Sequence, residues 1–202
     1  MCPVGITMGI TGEYPMDIKT ENKYRDAWCS VHAAFQEGFC ISERGLQSAL
    51  ASALNEKFPE KNVVIEPVWE IPREQIGRKR YVPDIVLLED MKISDIFELK
   101  FVPHSYAKFE RDIEKLGLYS ASSDKRLPVQ INQCTGRWKK KGASMRKDCQ
   151  FHFVAVAQAD AAAVCTESLK VGAKLSGTGR FNHWYGPVGE EDRAKWGIEF
   201  GI

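Results

Sequence analysis

Asp84, Glu98 and Lys100 stand out because they are charged residues set in strongly apolar sequence. Asp84 opens the run Asp84-Ile-Val-Leu-Leu88, and the other two lie within Ile93-Ser-Asp-Ile-Phe-Glu-Leu-Lys-Phe-Val102. Only Glu89 to Lys92 separates the two runs, so they read as an antiparallel hairpin. With the turn centred near Met91, Asp84 and Glu98 are equidistant from it and face one another. Residues i and i+2 of a strand share a face, which places Lys100 beside Glu98. The neighbours Ile85, Val86, Leu87, Leu88, Ile96, Phe97, Leu99 and Phe101 are apolar on both faces, as expected of strands covered on both sides. Burying two like charges together is costly unless a cation compensates them. One lysine cannot fully offset two acids, whereas a divalent metal ion can.

The elements around this hairpin must bring the charges together. Tyr24, Trp28, Val31 and Phe35 recur at helical spacing, which predicts an amphipathic helix over 21–36. Ser42 is a fitting N-cap for a second helix, whose stripe of Leu46, Ala49, Leu50, Ala53 and Leu54 ends before Pro59. Residues 63–71 read as a strand with Pro67 at an edge or bulge. Residues 106–120 form a helix with Phe109, Ile113 and Leu116 on one face. Residues 151–158 form another strand, and 160–169 a further helix; the tail beyond Ser176 carries no assignable pattern. The order is α-α-β-β-β-α-β-α, hence a single mixed α/β domain over 1–202.

The second helix runs away from the site and the strand after it returns. Glu43, in the first helical turn, is therefore expected at the sheet end that holds Asp84, Glu98 and Lys100. Glu43 shares a face with Leu46, Leu50 and Leu54 and should point toward the sheet. By itself it would equally serve the helix N-terminus through the dipole. Glu70 is a lesser candidate.

Pro83-Asp84, thirteen intervening residues, then Glu98-Leu99-Lys100 resembles the PD-(D/E)XK motif of the restriction-endonuclease-like nuclease superfamily. The α-β-β-β-α-β order, over about 42–158, is similar to that superfamily's core: a central mixed sheet flanked by helices. Residues 1–41 and 159–202 would be extensions to it. The resemblance implies a metal-dependent nuclease hydrolysing phosphodiester bonds in DNA. Asp84 and Glu98 would hold one or two Mg²⁺ (or Mn²⁺) ions, with the Leu99 carbonyl as a further ligand, because hard oxygen donors suit these cations. Lys100 would orient the attacking water or stabilise developing charge, and Glu43 would complete the catalytic set. The alternative is a catalytically inactive nuclease-fold subunit that binds nucleic acid.

The charge distribution fits a phosphate-bearing partner. Arg78-Lys79-Arg80 immediately precedes the hairpin, at the end expected to hold the site. Residues 137–147, RWKKKGASMRK, carry six basic side chains and no acid. Arg137, Lys139, Lys140 and Lys141 are the candidate nucleic-acid contacts there, with Trp138 able to stack on a base. A solvated basic loop is the plain alternative for either stretch. The overall balance, 28 Lys+Arg against 27 Asp+Glu, decides nothing by itself.

Six scattered cysteines without a C-x-x-C pair read as free thiols in a reducing compartment, and Cys149 and Cys165 as small core residues. His104 follows the motif without a partner. The sequence holds no membrane-spanning run, P-loop, G-x-S-x-G or H-E-x-x-H, and the expected location is cytoplasmic. A homodimer through the aromatic N-terminal helix, or a place in a larger nucleic-acid-processing complex, is a further expectation.

Overall fold

The computed structural model describes residues 16–71, 79–103, 110–120, 126–132, 138–157, 180–188 and 196–201. Its elements are α1 (Ile18–Gln36), α2 (Glu43–Lys57), β1 (Asn62–Ile65), β2 (Val68–Ile71), β3 (Lys79–Tyr81), β4 (Ile85–Glu89) and β5 (Lys92–Val102). They continue with α3 (Glu110–Ser120), β6 (Arg126–Asn132), β7 (Trp138–Ala157), β8 (Phe181–Pro187) and β9 (Gly197–Glu199). The sheet path is β1-β4-β5-β7-β6-β2-β3, with β8 on β7 and β9 on β8. β1, β4 and β5 form an antiparallel meander, and β5 then pairs with β7 in parallel. A parallel pair needs a crossover, and α3 lies within it. The chain is thus an α/β fold, a central mixed sheet flanked by helices, in which α2-β1-β4-β5-α3-β7 follows the expected α-β-β-β-α-β order, with β2, β3 and β6 added.

Alternation along β4, β5 and β7 separates two apolar layers. Ile85, Leu87, Phe97, Leu99, Val154 and Val156 pack under α1 and α2. Val86, Leu88, Ile96, Phe151 and Phe153 pack under Ile113, Leu116 and Tyr119 of α3. Ser42 caps α2, its hydroxyl accepting from the Gly45 amide at 3.0 Å.

The hairpin turn is two residues, Asp90 and Met91, both with positive φ. It pairs Glu89 with Lys92, a register that, continued, would set Asp84 against Phe97 on the other face. A bulge intervenes: pairing jumps from Leu88↔Ile93 to Leu87↔Asp95, leaving Ser94 as the extra residue. From there Ile85↔Phe97 is in register, so the next step sets Asp84 opposite Glu98. The expected centring near Met91 holds, through a bulge that the apolar pattern does not reveal.

Several expectations are corrected. The strand expected over 63–71 is two strands, broken where Glu66 has positive φ and Pro67 has no N–H to pair. β1 lies on β4, whereas β2 leaves to join β3 and β6. Lys79 and Arg80 lie in strand β3 rather than in a loop. Lys139, Lys140 and Lys141 likewise lie in β7, which begins at Trp138 rather than at Phe151. The tail contributes β8 and β9, and Trp184, Trp196, Ile198 and Phe200 join the core under α1. Gly186 belongs there for a steric reason, since a Cβ would come within 2.8 Å of the Trp196 ring. The expected dimer-forming face of α1 is spent internally, with Tyr24 and Trp28 fully buried in the same core. The helix expected over 160–169, together with Cys165, falls outside the described residues.

A buried polar network fastens α1 to the sheet. Asp95 accepts from the Tyr24 hydroxyl, from Ser94 Oγ at 2.6 Å, and from Lys61 Nζ at 2.9 Å. His152 Nε2 lies 3.2 Å from Asp95 Oδ1, and its Nδ1 accepts from the Trp184 indole at 3.0 Å. Because an indole N–H only donates, the His152 proton sits on Nε2 and is given to Asp95.

No helix among the described residues is long and apolar enough to cross a membrane.

Candidate active site

Asp84 enters β4 directly after Pro83, and three backbone contacts pin it. Its amide donates to Phe97 O at 3.1 Å, and its carbonyl accepts from the Glu66 amide and from Gln47 Nε2, each at 3.0 Å. Its carboxylate Oδ2 accepts from the Leu99 amide at 2.6 Å. Glu98 points into the α3 layer. Lys115 Nζ lies 2.9 Å from its Oε2, and the Tyr119 hydroxyl donates to its Oε1 at 3.2 Å. Asp112 sits between two lysines, 3.2 Å from Lys115 Nζ and 3.4 Å from Lys100 Nζ. Glu43 reaches the same sheet end from α2, its Oε2 accepting from the Phe101 amide at 3.4 Å.

The structure therefore brings Asp84, Glu98, Lys100 and Glu43 to one end of the sheet. Lys100 does not pair with Glu98; it pairs with Asp112. The ammonium on Glu98 comes from Lys115, which the strand pattern does not single out, nor Asp112 and Tyr119 with it. A signal for them is present in the helix. Asp112, Lys115 and Tyr119 fall at i, i+3 and i+7 of α3, beside the Ile113/Leu116 stripe, on a helix that must cover the face carrying Glu98.

The electrostatics follow from burial and crowding. Burial pushes the Asp84 carboxyl up to about 6, against the downward pull of the Leu99 amide and the Lys115 charge, while Glu43 and Asp112 add to the rise. Glu98 is 1% exposed. Burial, and then the negative charge of Asp84, push its carboxyl up to about 8, with Lys115 offsetting only part. Lys115 itself is raised; burial works against this, but the Glu98 charge and hydrogen bond outweigh it. The two acids titrate as a coupled pair. Near neutral pH they share a proton or call for more positive charge than Lys115 supplies.

No three His, Cys, Asp or Glu side chains among the described residues come together closely enough to form a ready metal cage. Mg²⁺, however, keeps much of its water and is commonly held by one or two carboxylates plus substrate oxygens. A pair of under-compensated carboxylates, one against the other across a hairpin, fits that demand.

The basic stretches converge on another part of the sheet. Tyr81 pairs with Trp69, Trp69 with Val129, and Val129 with Lys141, forming one straight row across β3, β2, β6 and β7. Three strand spacings place Lys79 and Arg80 on β3 roughly 14 Å from the Lys139–Lys141 strand. β3 leads within three residues into Asp84. Glu70 stands in β2, paired with Arg80. Arg78, His104 and Arg137 fall outside the described residues.

No family model matches this chain, and no curated protein matches it. Among solved structures it is similar to E. coli MS115-1 NucC in its cAAA-bound form, with a TM-score of 0.43 and 10% identity, covering 95% of this chain and 86% of that one. That likeness is too distant to carry an argument about function.

Proposed function

We propose that this chain is a metal-dependent nuclease that hydrolyses phosphodiester bonds in DNA at the Asp84–Glu98 pair. The observation that carries the reading is that Asp84 and Glu98 come opposite one another across the hairpin, both raised by burial, with one ammonium, that of Lys115, on Glu98. A fold retains such an arrangement at a cost in stability, and functional sites are where costs of this kind concentrate.

In this reading Asp84 and Glu98 hold Mg²⁺ or Mn²⁺, with the Leu99 carbonyl as a further oxygen. The ion supplies a Lewis acid for the phosphate and lowers the pKa of water at the site. Leu99 fixes the Asp84 carboxylate by donating its amide to Oδ2. Lys100, held at the rim by Asp112, is placed to orient water or to meet charge developing on the phosphate. Glu43, hydrogen-bonded to the strand beyond Lys100, adds an acceptor for water. By register Lys79, Lys139 and Lys141 share one face of the β3-β2-β6-β7 sheet, and that row supplies the positive charge along which a nucleic-acid backbone runs.

A second reading has one observation in its favour. Lys115 and Tyr119 already occupy both oxygens of Glu98, as they would in an inactive nuclease-fold subunit that only binds nucleic acid.

Cleavage of supercoiled plasmid and of labelled single- and double-stranded DNA and RNA oligonucleotides separates the two. Reactions contain Mg²⁺, Mn²⁺ or EDTA, with folded Asp84→Asn and Glu98→Gln variants alongside. Metal-dependent cutting of DNA lost in both variants supports the nuclease. Nucleic-acid binding without cutting in any metal supports the inactive subunit, and preferred cutting of RNA overturns the choice of substrate.

A further inference from the structure

Lys115 is the feature the nuclease reading leaves unused. Its ammonium touches Glu98 Oε2 at 2.9 Å and Asp112 Oδ1 at 3.2 Å, so it bridges an acid of the site and an acid outside the pair. Its side chain is 30% exposed, against 13% for Lys61, the cation that serves Asp95. A lysine is a compact charge on a flexible four-carbon stem. This one has open space on one side and a second carboxylate within reach.

Resting on the nuclease reading, we infer that Lys115 is a built-in counter-ion that neutralises Glu98 in the metal-free chain and retreats onto Asp112 when a divalent cation enters. An ammonium and a dication on the same carboxylate repel at short range, and in a half-buried site water screens that repulsion weakly. Glu98 cannot keep Lys115 in place and accept the ion as well. The ammonium has a destination already in contact, because Asp112 lies against it. Lys100 shares that acid at 3.4 Å, so retreat crowds two ammoniums around Asp112 and pushes Lys100 toward the mouth of the site. Tyr119 contacts the other oxygen of Glu98 and keeps the carboxylate oriented throughout.

This role makes a sign prediction that a merely structural ion pair does not. With Lys115→Gln, Glu98 no longer has a cation to shed, and Mn²⁺ should bind about tenfold more tightly in the absence of nucleic acid. With Asp112→Asn, the ammonium loses its refuge and stays on Glu98, and Mn²⁺ should bind about tenfold more weakly. In the double variant the Asp112 change should no longer matter, a non-additivity expected of groups acting as one unit.

The test is calorimetric titration of the folded full chain with Mn²⁺ alone, with Glu98→Gln as the ligand control. If the Lys115 variant loses its fold, ammonium NMR of ¹⁵N-lysine-labelled wild type on addition of Mg²⁺ reads the same event. The Lys115 signal, protected in the metal-free chain, should shift and lose protection. Tightening by Lys115→Gln with weakening by Asp112→Asn, or displacement of the Lys115 signal, supports the inference. If Mn²⁺ binding depends on Glu98 but Lys115→Gln does not tighten it, or the ammonium signal is unmoved by saturating Mg²⁺, the counter-ion role fails and the nuclease reading stands. Mn²⁺ binding absent from wild type, or unaffected by Glu98→Gln, overturns both.

Discussion

Asp95 and Glu98 stand three residues apart on β5, each 1% exposed, one beneath α1 and α2 and the other beneath α3. Their environments treat the same functional group in opposite ways. Burial alone would raise Asp95, yet the His152 hydrogen bond, the Lys61 charge and Ser94 more than offset it, and the carboxyl is held well below the usual range. Glu98 has two partners and a second acid across the hairpin, and is raised. The Asp95 side is complete, with every oxygen satisfied and the charge neutralised inside the fold. The Glu98 side lacks positive charge. The difference separates a buried acid whose charge the fold neutralises from one whose charge the fold compensates only in part.

The most severe way to probe the contrast is to remove the satisfied acid. Asp95→Ala leaves Lys61 and the buried His152 and Tyr24 without their acceptor, and should cost about 3–5 kcal/mol in urea unfolding. A loss under about 1 kcal/mol would mean the network is ornamental. Removing the acid whose charge is only partly compensated should do the reverse. Glu98→Gln should lower DNA cleavage by about 100-fold, equivalent to about 3 kcal/mol. At pH 8 its thermal midpoint should not fall below that of wild type.

The third test is the pH dependence of stability. Glu98 has a folded value of about 8, above its ordinary value of 4.5, so its contribution is intact below pH 4.5 and is lost as pH rises toward 8. The slope is at most about 1.4 kcal/mol per pH unit for this one group. Asp84, raised to about 6, adds a loss between about pH 4 and 6. Urea unfolding at pH 5, 6.5 and 8 should show wild type losing ground steadily to Glu98→Gln; parallel curves would remove the electrostatic basis of the site. Asp95, being lowered, acts with the opposite sign: its stabilisation is complete above about pH 4 and is lost only in stronger acid. The smallest effect is expected from Trp184→Phe. It removes the donor to His152 Nδ1 and should cost about 1 kcal/mol while leaving metal-dependent cleavage unchanged, as checked by unfolding and plasmid nicking.

Much of the site is legible in the sequence. Apolar runs around Asp84 and Glu98, separated by four residues, imply a hairpin whatever the surroundings, and the α2 cap places Glu43 near them. The cationic side is not legible, for a specific reason. Lys100 shares a face with Glu98 by strand periodicity, but periodicity says nothing about which ammonium reaches which carboxylate. Lys115 is 17 residues from Glu98, and its approach depends on how α3 settles on the sheet. The strand break at Glu66 and Pro67 escapes local pattern because β2 leaves β1 to join β6, which is distant in sequence. The first half of β7 pairs with the adjacent β6, but its lysine-rich sequence lacks the apolar alternation that marks a strand. The aromatic face of α1 reads as free because the strands that cover it, β8 and β9, lie in a tail without a clear period.

The sequence by itself determined the local elements, the hairpin, and the presence of two acids in an apolar setting, since each depends on residues within a few positions of one another. The tertiary structure alone decided that the hairpin keeps its expected centring through a bulge at Ser94, that Asp95 meets Tyr24, Lys61 and His152, and that Lys115 rather than Lys100 answers Glu98. Whether a buried acid is satisfied depends on charges within a few ångströms, and folding draws those charges from distant parts of the chain.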